Sequence, residues 1–421
     1  MKVKLFSTSL IFSSLLLGGC TQDVLFTEHT NDVDNVNKSA SFKIPSDVAI
    51  EQAMGFISDL NPATRGEKRS VKEITLIGND SKTRSGEEGD SLLYLINFAD
   101  DKGFVLMSAD VRSIPIYAIS DTGNFIINEE NEEQMTGIIE GAKQNVLAAS
   151  LDTVPVGPGV QIKPWWLMNG WESVPINYRI APKLSEFQSR VSEYGGFSKY
   201  CRNDKGEPAM SGCVAIATEQ LLSYYQHPTY IDNYYISWEN ANSSAGLNTV
   251  ARVLQLIGSP KYLDLDYQDE NNIAPGNHED VPPTLTKLGY QHCGRFIGFF
   301  ANEQVAVDAL DEGPILVRAK STKFGDAGHL WVIDGMIQYK VNTNHYISTP
   351  PVYIYPNLFH CVWGFPDGSS NGYYYADLYG FIGEPCFKDS TDPTSNECSQ
   401  YASCDKKVVF LYGFKPIRSQ E

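Results

Sequence analysis

Prolines and glycines crowded into six residues divide this chain of 421 residues into two blocks. The run reads Val154-Pro155-Val156-Gly157-Pro158-Gly159. Proline lacks the backbone N–H that a helix or a central strand needs, and glycine at this density favours turns. We therefore predict a linker over residues 151–162, a smaller domain over residues 46–150 and a larger one over residues 163–421, a division that suits the length.

The block before the linker has the pattern of a small α+β domain. Apolar residues at helical spacing predict one helix from Pro45 to about Leu60 and another from Glu132 to Ser150. The apolar runs Leu92–Phe98 and Phe104–Ala109 flank a turn with aspartate and glycine, which predicts a β-hairpin. A further short strand is expected over Val71–Ile77.

The block after the linker changes character along its length. Residues 165–260 hold helical patterns, whereas residues 310–421 hold short runs rich in tyrosine, valine and isoleucine between glycine, aspartate and asparagine turns. A helical half followed by an antiparallel half is typical of the α+β class. The predicted fold is therefore an α+β larger domain preceded by a smaller α+β domain.

The first twenty residues have the pattern of a bacterial lipoprotein signal. Two lysines precede the apolar run Leu5–Leu17, which is too short to span a bilayer stably, and Gly18-Gly19 stands before Cys20. A cysteine in that position resembles the lipobox cysteine, which is acylated and becomes the mature N-terminus. The alternative is an ordinary signal peptide with a chance cysteine. We expect residues 1–19 to be removed, residues 20–45 to form a tether, and the protein to be an exported membrane lipoprotein, on the cell surface or facing the periplasm.

The formal net charge of −18 limits the classes of partner. Nucleic-acid phosphates need a basic face, so a nucleic-acid-binding role is not expected. The acidity also disfavours anionic lipid surfaces. Membrane contact is therefore expected through the N-terminal lipid alone.

Seven further cysteines follow Cys20. They form no Cys-x-x-Cys pair and no spacing that supports four metal ligands, so neither a metal nor another cofactor is expected. In an exported chain an odd number leaves one thiol free or bonded to another molecule. Cys386, Cys398 and Cys404 lie close enough in sequence for a local disulfide, whose pairing the sequence does not give.

Cys213 stands at the start of a predicted helix. Apolar residues recur after it at spacings of three and four up to Tyr225, and His227-Pro228 ends the helix. In a first turn the unpaired backbone N–H groups and the helix dipole stabilise a thiolate, and Gly212 leaves room for a substrate backbone. The alternative is a buried cysteine that only packs.

His329 is the best placed of the histidines to act as a base. It follows a glycine-containing loop and opens a predicted strand, so it is expected at a sheet end on the same face as Trp331 and Ile333. Alone it could be an ordinary surface or hydrogen-bonded histidine. A cysteine at a helix start, followed 116 residues later by such a histidine, is the order of cysteine peptidases.

Several motifs together resemble one family. The segments are Asn97–Asp110, Gly212–Ala215 with Gln220 and Tyr224–Pro228, Gly328–Gly335, Phe359–Phe365 with Asn371–Tyr374, and Gly413–Pro416. In this order they resemble the pro-segment, nucleophile helix, histidine strand, third motif and chain end of the streptopain family of cysteine peptidases. The resemblance implies a papain-like fold and a zymogen whose pro-domain is its own intramolecular inhibitor. It also implies endopeptidase action on protein or peptide substrates, without a metal or cofactor.

Two positions depart from the family pattern. The family's oxyanion-hole glutamine is replaced by Glu172, and its third catalytic asparagine, directly before the motif tryptophan Trp363, is replaced by Val362. Glu172, Val362 and Trp363 are thus the candidate oxyanion and orienting positions, although a valine has no polar atom to orient an imidazole. Three hypotheses remain: an active endopeptidase, a weakened or inactive relative that acts as a surface binding protein, and a transferase or specialised hydrolase that uses the same thiol.

Overall fold

The helices and strands follow the two-block pattern of the sequence. The computed structural model describes residues 42–61, 68–79, 91–129, 131–151, 175–267, 276–291, 294–297, 303–320, 328–342, 352–376, 378 and 409–417. Several predictions lie outside these residues: the signal over residues 1–19, the lipid-anchor residue Cys20, the oxyanion candidate Glu172, and the disulfide among Cys386, Cys398 and Cys404.

The helices are α1 (Ser46–Leu60), α2 (Glu132–Leu151), α3 (Gly212–Tyr225), α4 (Trp238–Ala241), α5 (Leu247–Ile257), α6 (Val281–Lys287) and α7 (Glu303–Glu312). The strands are β1 (Val71–Gly78), β2 (Ser91–Phe98), β3 (Phe104–Ser108), β4 (Ile116–Ser120), β5 (Ile176–Ile180), β6 (Tyr230–Ile231), β7 (Tyr234–Tyr235), β8 (Gly294–Ile297), β9 (Ile315–Lys320), β10 (Gly328–Tyr339), β11 (Val341–Asn342), β12 (Tyr353–Ile354), β13 (Asn357–Val362), β14 (Gly372–Tyr375) and β15 (Val409–Tyr412). Within the residues described above, no helix combines the length and the apolar character needed to span a bilayer.

Helices α1 and α2 cover opposite faces of the strands β1–β4. On β2, Tyr94 and Ile96 belong to the apolar cluster that α1 completes, whereas Leu93 and Leu95 belong to the cluster that α2 completes. Neighbouring side chains of a strand point to opposite faces. Because both faces are covered, β2 is apolar without alternation, and its sequence reads as a continuous apolar run.

One sheet runs through both blocks. Its strand order is β1-β2-β3-β4-β14-β13-β10-β9-β15-β8, and β5 pairs with β10. The junction between the blocks is the antiparallel pair β4–β14, where Ile119 lies opposite Tyr373 and Ala118 opposite Tyr374. The described residues between 42 and 417 accordingly belong to one compact unit.

Helix α3 packs on one face of the central strands. Leu330 and Val332 of β10 and Val362 of β13 share a buried cluster with the apolar residues of α3. Trp331 and Trp363 point to the other face and belong to the cluster that α2 completes. Strand β10 therefore separates two buried layers.

The α+β class predicted from the sequence is confirmed by this arrangement. The predicted helices over residues 45–60 and 132–150 are α1 and α2, the predicted hairpin is β2–β3, and the helix predicted after Cys213 is α3. The exact domain boundaries stay a prediction.

Candidate active site

Cys213 occupies the first turn of α3, as the sequence predicts. Gly212 has a φ of 79°, in the region that favours glycine, and turns the chain into the helix. The preceding Ser211 is held from two directions, since its N–H donates to Ser198 Oγ at 3.0 Å and its Oγ accepts from the same hydroxyl at 2.9 Å. The turn that presents the Cys213 sulfur is therefore fixed by buried hydrogen bonds.

The environment of the Cys213 sulfur keeps the thiol protonated. Burial raises its pKa from 9.0 to about 11, and the nearby carboxyl of Glu193 also raises it. Hydrogen bonding to the backbone of Leu330, and of Cys213 and Val214 themselves, lowers it. The helix start thus stabilises a thiolate as predicted, but burial outweighs this effect in the conformation described.

His329 lies on β10 within a stack of aromatic rings. Its ring centroid is 5.3 Å from that of Phe365, 6.1 Å from that of Trp331 and 6.3 Å from that of Trp363, with interplanar angles of 22°, 14° and 29°. Burial lowers the pKa of His329 from 6.5 to about 4, against the hydrogen bond to the backbone of Trp363, which raises it. The imidazole is therefore neutral at physiological pH.

The carbonyl of Trp363 fixes the tautomer of His329. His329 Nε2 lies 2.8 Å from the Trp363 carbonyl oxygen. A carbonyl only accepts hydrogen bonds, so Nε2 carries the proton and Nδ1 keeps a free lone pair. This is the form that can take a proton from a thiol.

Cys213 lies beside the strand that carries His329, but no hydrogen bond connects the two side chains. Cys213 packs with the cluster that contains Leu330, whereas His329 stacks on rings of the opposite face of β10. Among the hydrogen bonds of the described residues, none links the sulfur to the imidazole. The structure therefore places Cys213 beside the backbone of Leu330, the residue next to His329, without a hydrogen bond between the two reactive side chains.

Val362 and Trp363 have separate roles at the third motif. The Val362 side chain is fully buried in the cluster that faces α3, opposite Val332, and fills space there. The polar partner of His329 is the backbone of Trp363, not a side chain at position 362. Every residue has a backbone carbonyl, so the sequence pattern could not predict that this one is the partner of His329.

Asn371 holds the Trp363 peptide in place. Its Oδ1 accepts from the Trp363 N–H at 3.0 Å, and its Nδ2 donates to the Ser189 carbonyl at 2.7 Å. The asparagine therefore ties the third motif to the segment that precedes α3. The sequence indicated Asn371 only as part of a motif, because its partners are backbone groups distant along the chain.

Two charged residues near the sulfur were also missed by the sequence analysis. Glu193 is 8% exposed, its Oε2 atom has no hydrogen-bond partner among the described residues, and burial raises its pKa from 4.5 to about 7. Arg318 of β9 lies opposite Leu330 and interacts electrostatically with Cys213. Neither residue belongs to a recognisable motif, and only the tertiary structure brings them to the site.

A metal centre is not formed by the described side chains. Within that part of the chain, no group of three or more histidine, cysteine, aspartate or glutamate residues is arranged to hold a metal ion. Cys201, Cys213 and Cys361 are free thiols there.

Comparison with known proteins gives two matches in sequence. Residues 40–146 match the family model described as Spi protease inhibitor. Streptopain of Streptococcus pyogenes is 28% identical over 189 residues, which is 43% of this chain and 43% of streptopain. The chain is therefore similar to streptopain over less than half of the length of either protein. The resemblance carried by the sequence motifs is thereby confirmed, with an inhibitor-type segment ahead of the peptidase-like part.

Two solved structures match the chain at low sequence identity. A prointerpain A fragment of Prevotella intermedia is 17% identical, with a TM-score of 0.49 over 83% of this chain and 100% of the fragment. The active interpain A cysteine protease of the same organism is 18% identical, with a TM-score of 0.35 over 56% of this chain and 97% of that one.

Proposed function

We propose that this streptopain-like chain is a cysteine endopeptidase made as a latent precursor, with Cys213 as nucleophile and His329 as base. The observation that supports this most is the position of Cys213 at the start of α3, with the backbone of Leu330 at its sulfur. His329, the residue before Leu330, already carries its proton on Nε2 and has a free Nδ1. A change in the conformation of the His329 side chain that brings Nδ1 to the sulfur is proposed to complete the pair.

The proposed reaction follows from these groups. The Cys213 thiol gives its proton to His329 Nδ1, and the sulfur forms a bond to the carbonyl carbon of the substrate peptide. The C–N bond then breaks as His329 returns the proton to the leaving amine. Water hydrolyses the thioester and restores the thiol. We further propose that backbone N–H groups at the start of α3 stabilise the oxyanion, and that Glu172, when protonated, donates another hydrogen bond.

Latency is proposed to arise from contacts of the smaller block with the third motif. Ser370 N–H donates to the Asn124 carbonyl at 3.1 Å, and Ile126 N–H donates to Ser370 Oγ at 3.2 Å. Phe125 lies 6.4 Å from Tyr374 between ring centroids, in the layer that contains Trp363 and Phe365. These contacts support a smaller block that holds the aromatic layer, and with it His329, away from the thiol.

The test of this function uses the full-length chain and its processed form. Limited proteolysis within residues 145–165 is expected to release activity on a diverse peptide library, since exposed linkers are preferred cleavage sites. Cys213→Ala and His329→Ala should abolish turnover, and an epoxide thiol-protease probe should label Cys213 faster in the processed form than in the full-length chain. A processed, folded chain whose Cys213 reacts with the probe but which cleaves no peptide would contradict the peptidase assignment.

That contradicting result would favour a surface binding protein. The surface-binding alternative is supported by the separation of Cys213 from His329 and by Val362 in place of an orienting asparagine. A weakened or inactive relative would keep the cleft and lose the chemistry.

Export and lipid anchoring are proposed from the N-terminal pattern that ends in Leu17-Gly18-Gly19-Cys20. Cys20→Ser should release the protein from the membrane fraction or block its processing. Unchanged fractionation, with no labelled fatty acid incorporated into the wild-type chain, would count against the anchor.

A further inference from the structure

Arg318 shares a face of the sheet with the groups around the nucleophile. It lies directly opposite Leu330 in the β9–β10 pairing. Side chains opposite each other in an antiparallel pair project to the same face. Leu330 faces α3 and lies at the sulfur of Cys213, so Arg318 projects toward the same space.

The guanidinium lies over the glycine that precedes His329. A Cβ built on Gly328 would lie 2.9 Å from Arg318 Nη2, 3.1 Å from Nε and 3.2 Å from Cζ. The shortest of these distances is below that of real Cβ contacts, so a side chain at position 328 would force the guanidinium to shift. Arg318 thus lies against the start of the strand that carries His329 and acts electrostatically on Cys213.

The positive charge of Arg318 lacks a direct counter-ion in the described part of the chain. No ion pair or hydrogen bond of its side chain is formed there, although the guanidinium is half-buried and acts electrostatically on both Cys213 and Glu279. Burial lowers the pKa of Arg318, but an arginine side chain keeps its positive charge in proteins. A half-buried guanidinium with five donors favours a carboxylate that binds it through two parallel hydrogen bonds.

We propose that Arg318 forms a subsite for an acidic side chain, aspartate or glutamate, that flanks the scissile bond of the substrate. This inference rests on the proposed function for its substrate, since it names the class of peptide that the Cys213 site accepts. Among the described side chains, the carboxyl of Glu193 acts on the Cys213 sulfur and that of Glu279 acts on Arg318, so Arg318 supplies the positive charge among these groups.

The first experiment measures the anion preference of the site without requiring peptidase activity. Cys213 of the full-length chain is alkylated with iodoacetate and with iodoacetamide, which differ in charge, and the modified residue is identified by mass spectrometry. We expect the ratio of the two rates to exceed that of a free cysteine derivative by about 10-fold. Arg318→Gln should remove this excess, and Arg318→Lys should keep part of it.

A matched control separates an anion subsite from a general effect on the thiol. Arg252 of α5 holds its guanidinium over the ring of Tyr200, away from this pairing. Arg252→Gln should therefore leave the ratio of the two alkylation rates unchanged. If Arg318 only shifted the ionisation of Cys213, both reagents would slow equally and the ratio would stay constant. A constant ratio in Arg318→Gln, or a wild-type ratio equal to that of free cysteine, overturns the proposal.

The second experiment tests the subsite with peptides. Matched pairs carrying glutamate or glutamine at each position beside the scissile bond are given to the processed enzyme. One position should show a preference for glutamate in kcat/KM of about 10-fold, carried mainly by KM and lost in Arg318→Gln. Equal ratios in wild type and variant overturn the subsite. No cleavage of any peptide, with the alkylation ratio intact, would contradict the proposed peptidase function and leave the anion subsite standing.

Discussion

Burial dominates the ionisation of both reactive side chains. It raises the pKa of Cys213 to about 11 and lowers that of His329 to about 4, so both groups are neutral over the range between. A neutral thiol is a poor nucleophile, because the thiolate is the reactive species. Burial therefore keeps the Cys213 thiol in its less reactive form, in addition to its separation from His329 across β10.

Glu193 provides a direct way to test the electrostatics of the thiol. Above about pH 7 its carboxyl is ionised, and the negative charge disfavours a second negative charge on the Cys213 sulfur. Glu193→Gln should therefore lower the pKa of Cys213, by up to about one unit. The measurement is the pH dependence of alkylation by iodoacetamide.

The control for Glu193 is a carboxyl on the same segment that lies away from the sulfur. The side chain of Glu186 is 81% exposed and pairs with Arg190, so Glu186→Gln should leave the alkylation profile unchanged. An unshifted profile in Glu193→Gln, with the folded structure retained, would show that the carboxyl does not act on the thiol.

At the level of elements, the turn after β13 positions the base. Asn371 fixes the Trp363 peptide from one side, and the Trp363 carbonyl fixes His329 from the other. Asn371→Ala removes the acceptor of the Trp363 N–H and the donor to Ser189, leaving two backbone groups without partners. We expect the free energy of unfolding to fall by about 1–3 kcal/mol and the nitrogen resonances of His329 to shift.

A structural loss alone would not move the His329 resonances selectively. Asn240→Ala, at an exposed position of α4, is the matched control and should change neither quantity. If Asn371→Ala lowers stability while the His329 signals stay in place, the asparagine supports the turn but does not position the base.

The sequence predicts the helix and the strand that carry the site more accurately than it predicts the contacts of their side chains. The helix that starts at Cys213 and the face shared by His329, Trp331 and Ile333 follow from spacing, and both are present. Spacing does not show on which face of β10 the helix packs, because that depends on which layer each side of the sheet meets. The burial of Glu193 and the role of the Trp363 carbonyl are likewise tertiary features that leave no periodic signal.

Two buried glutamates change the pH dependence of the free energy of unfolding in the direction opposite to that of His329. Glu219 of α3 is fully buried, and its Oε1 accepts from Gln188 Nε2 at 3.3 Å. Burial raises the pKa of Glu219 from 4.5 to about 8 and that of Glu193 to about 7. The folded chain keeps these protons after the unfolded chain has released them, so the free energy of unfolding falls as pH rises from 4.5 through 8. His329 acts in the opposite sense, and its contribution is lost as pH falls from 6.5 to about 4.

Of Glu193, Glu219 and His329, only the two glutamates still change the free energy of unfolding with pH above pH 6.5. The free energy of unfolding should fall by about 2 kcal/mol between pH 6.5 and 8, at about 1.4 kcal/mol per pH unit for one proton. Glu219→Gln should flatten most of this slope, whereas Glu239→Gln, at an exposed position of α4, should preserve it. Chemical denaturation at a series of pH values measures both, and equal slopes in all three proteins would refute the assignment to Glu219.

The β4–β14 pairing has a consequence for any form from which the smaller block has been removed. Strand β14, with its three consecutive tyrosines, would become an edge strand whose N–H and C=O groups face water. Such edges recruit strands from other molecules and promote aggregation, and tyrosine has a high preference for strands. Proposed processing that removes the smaller block would therefore also expose the β14 edge and is expected to make the remaining chain more prone to aggregation.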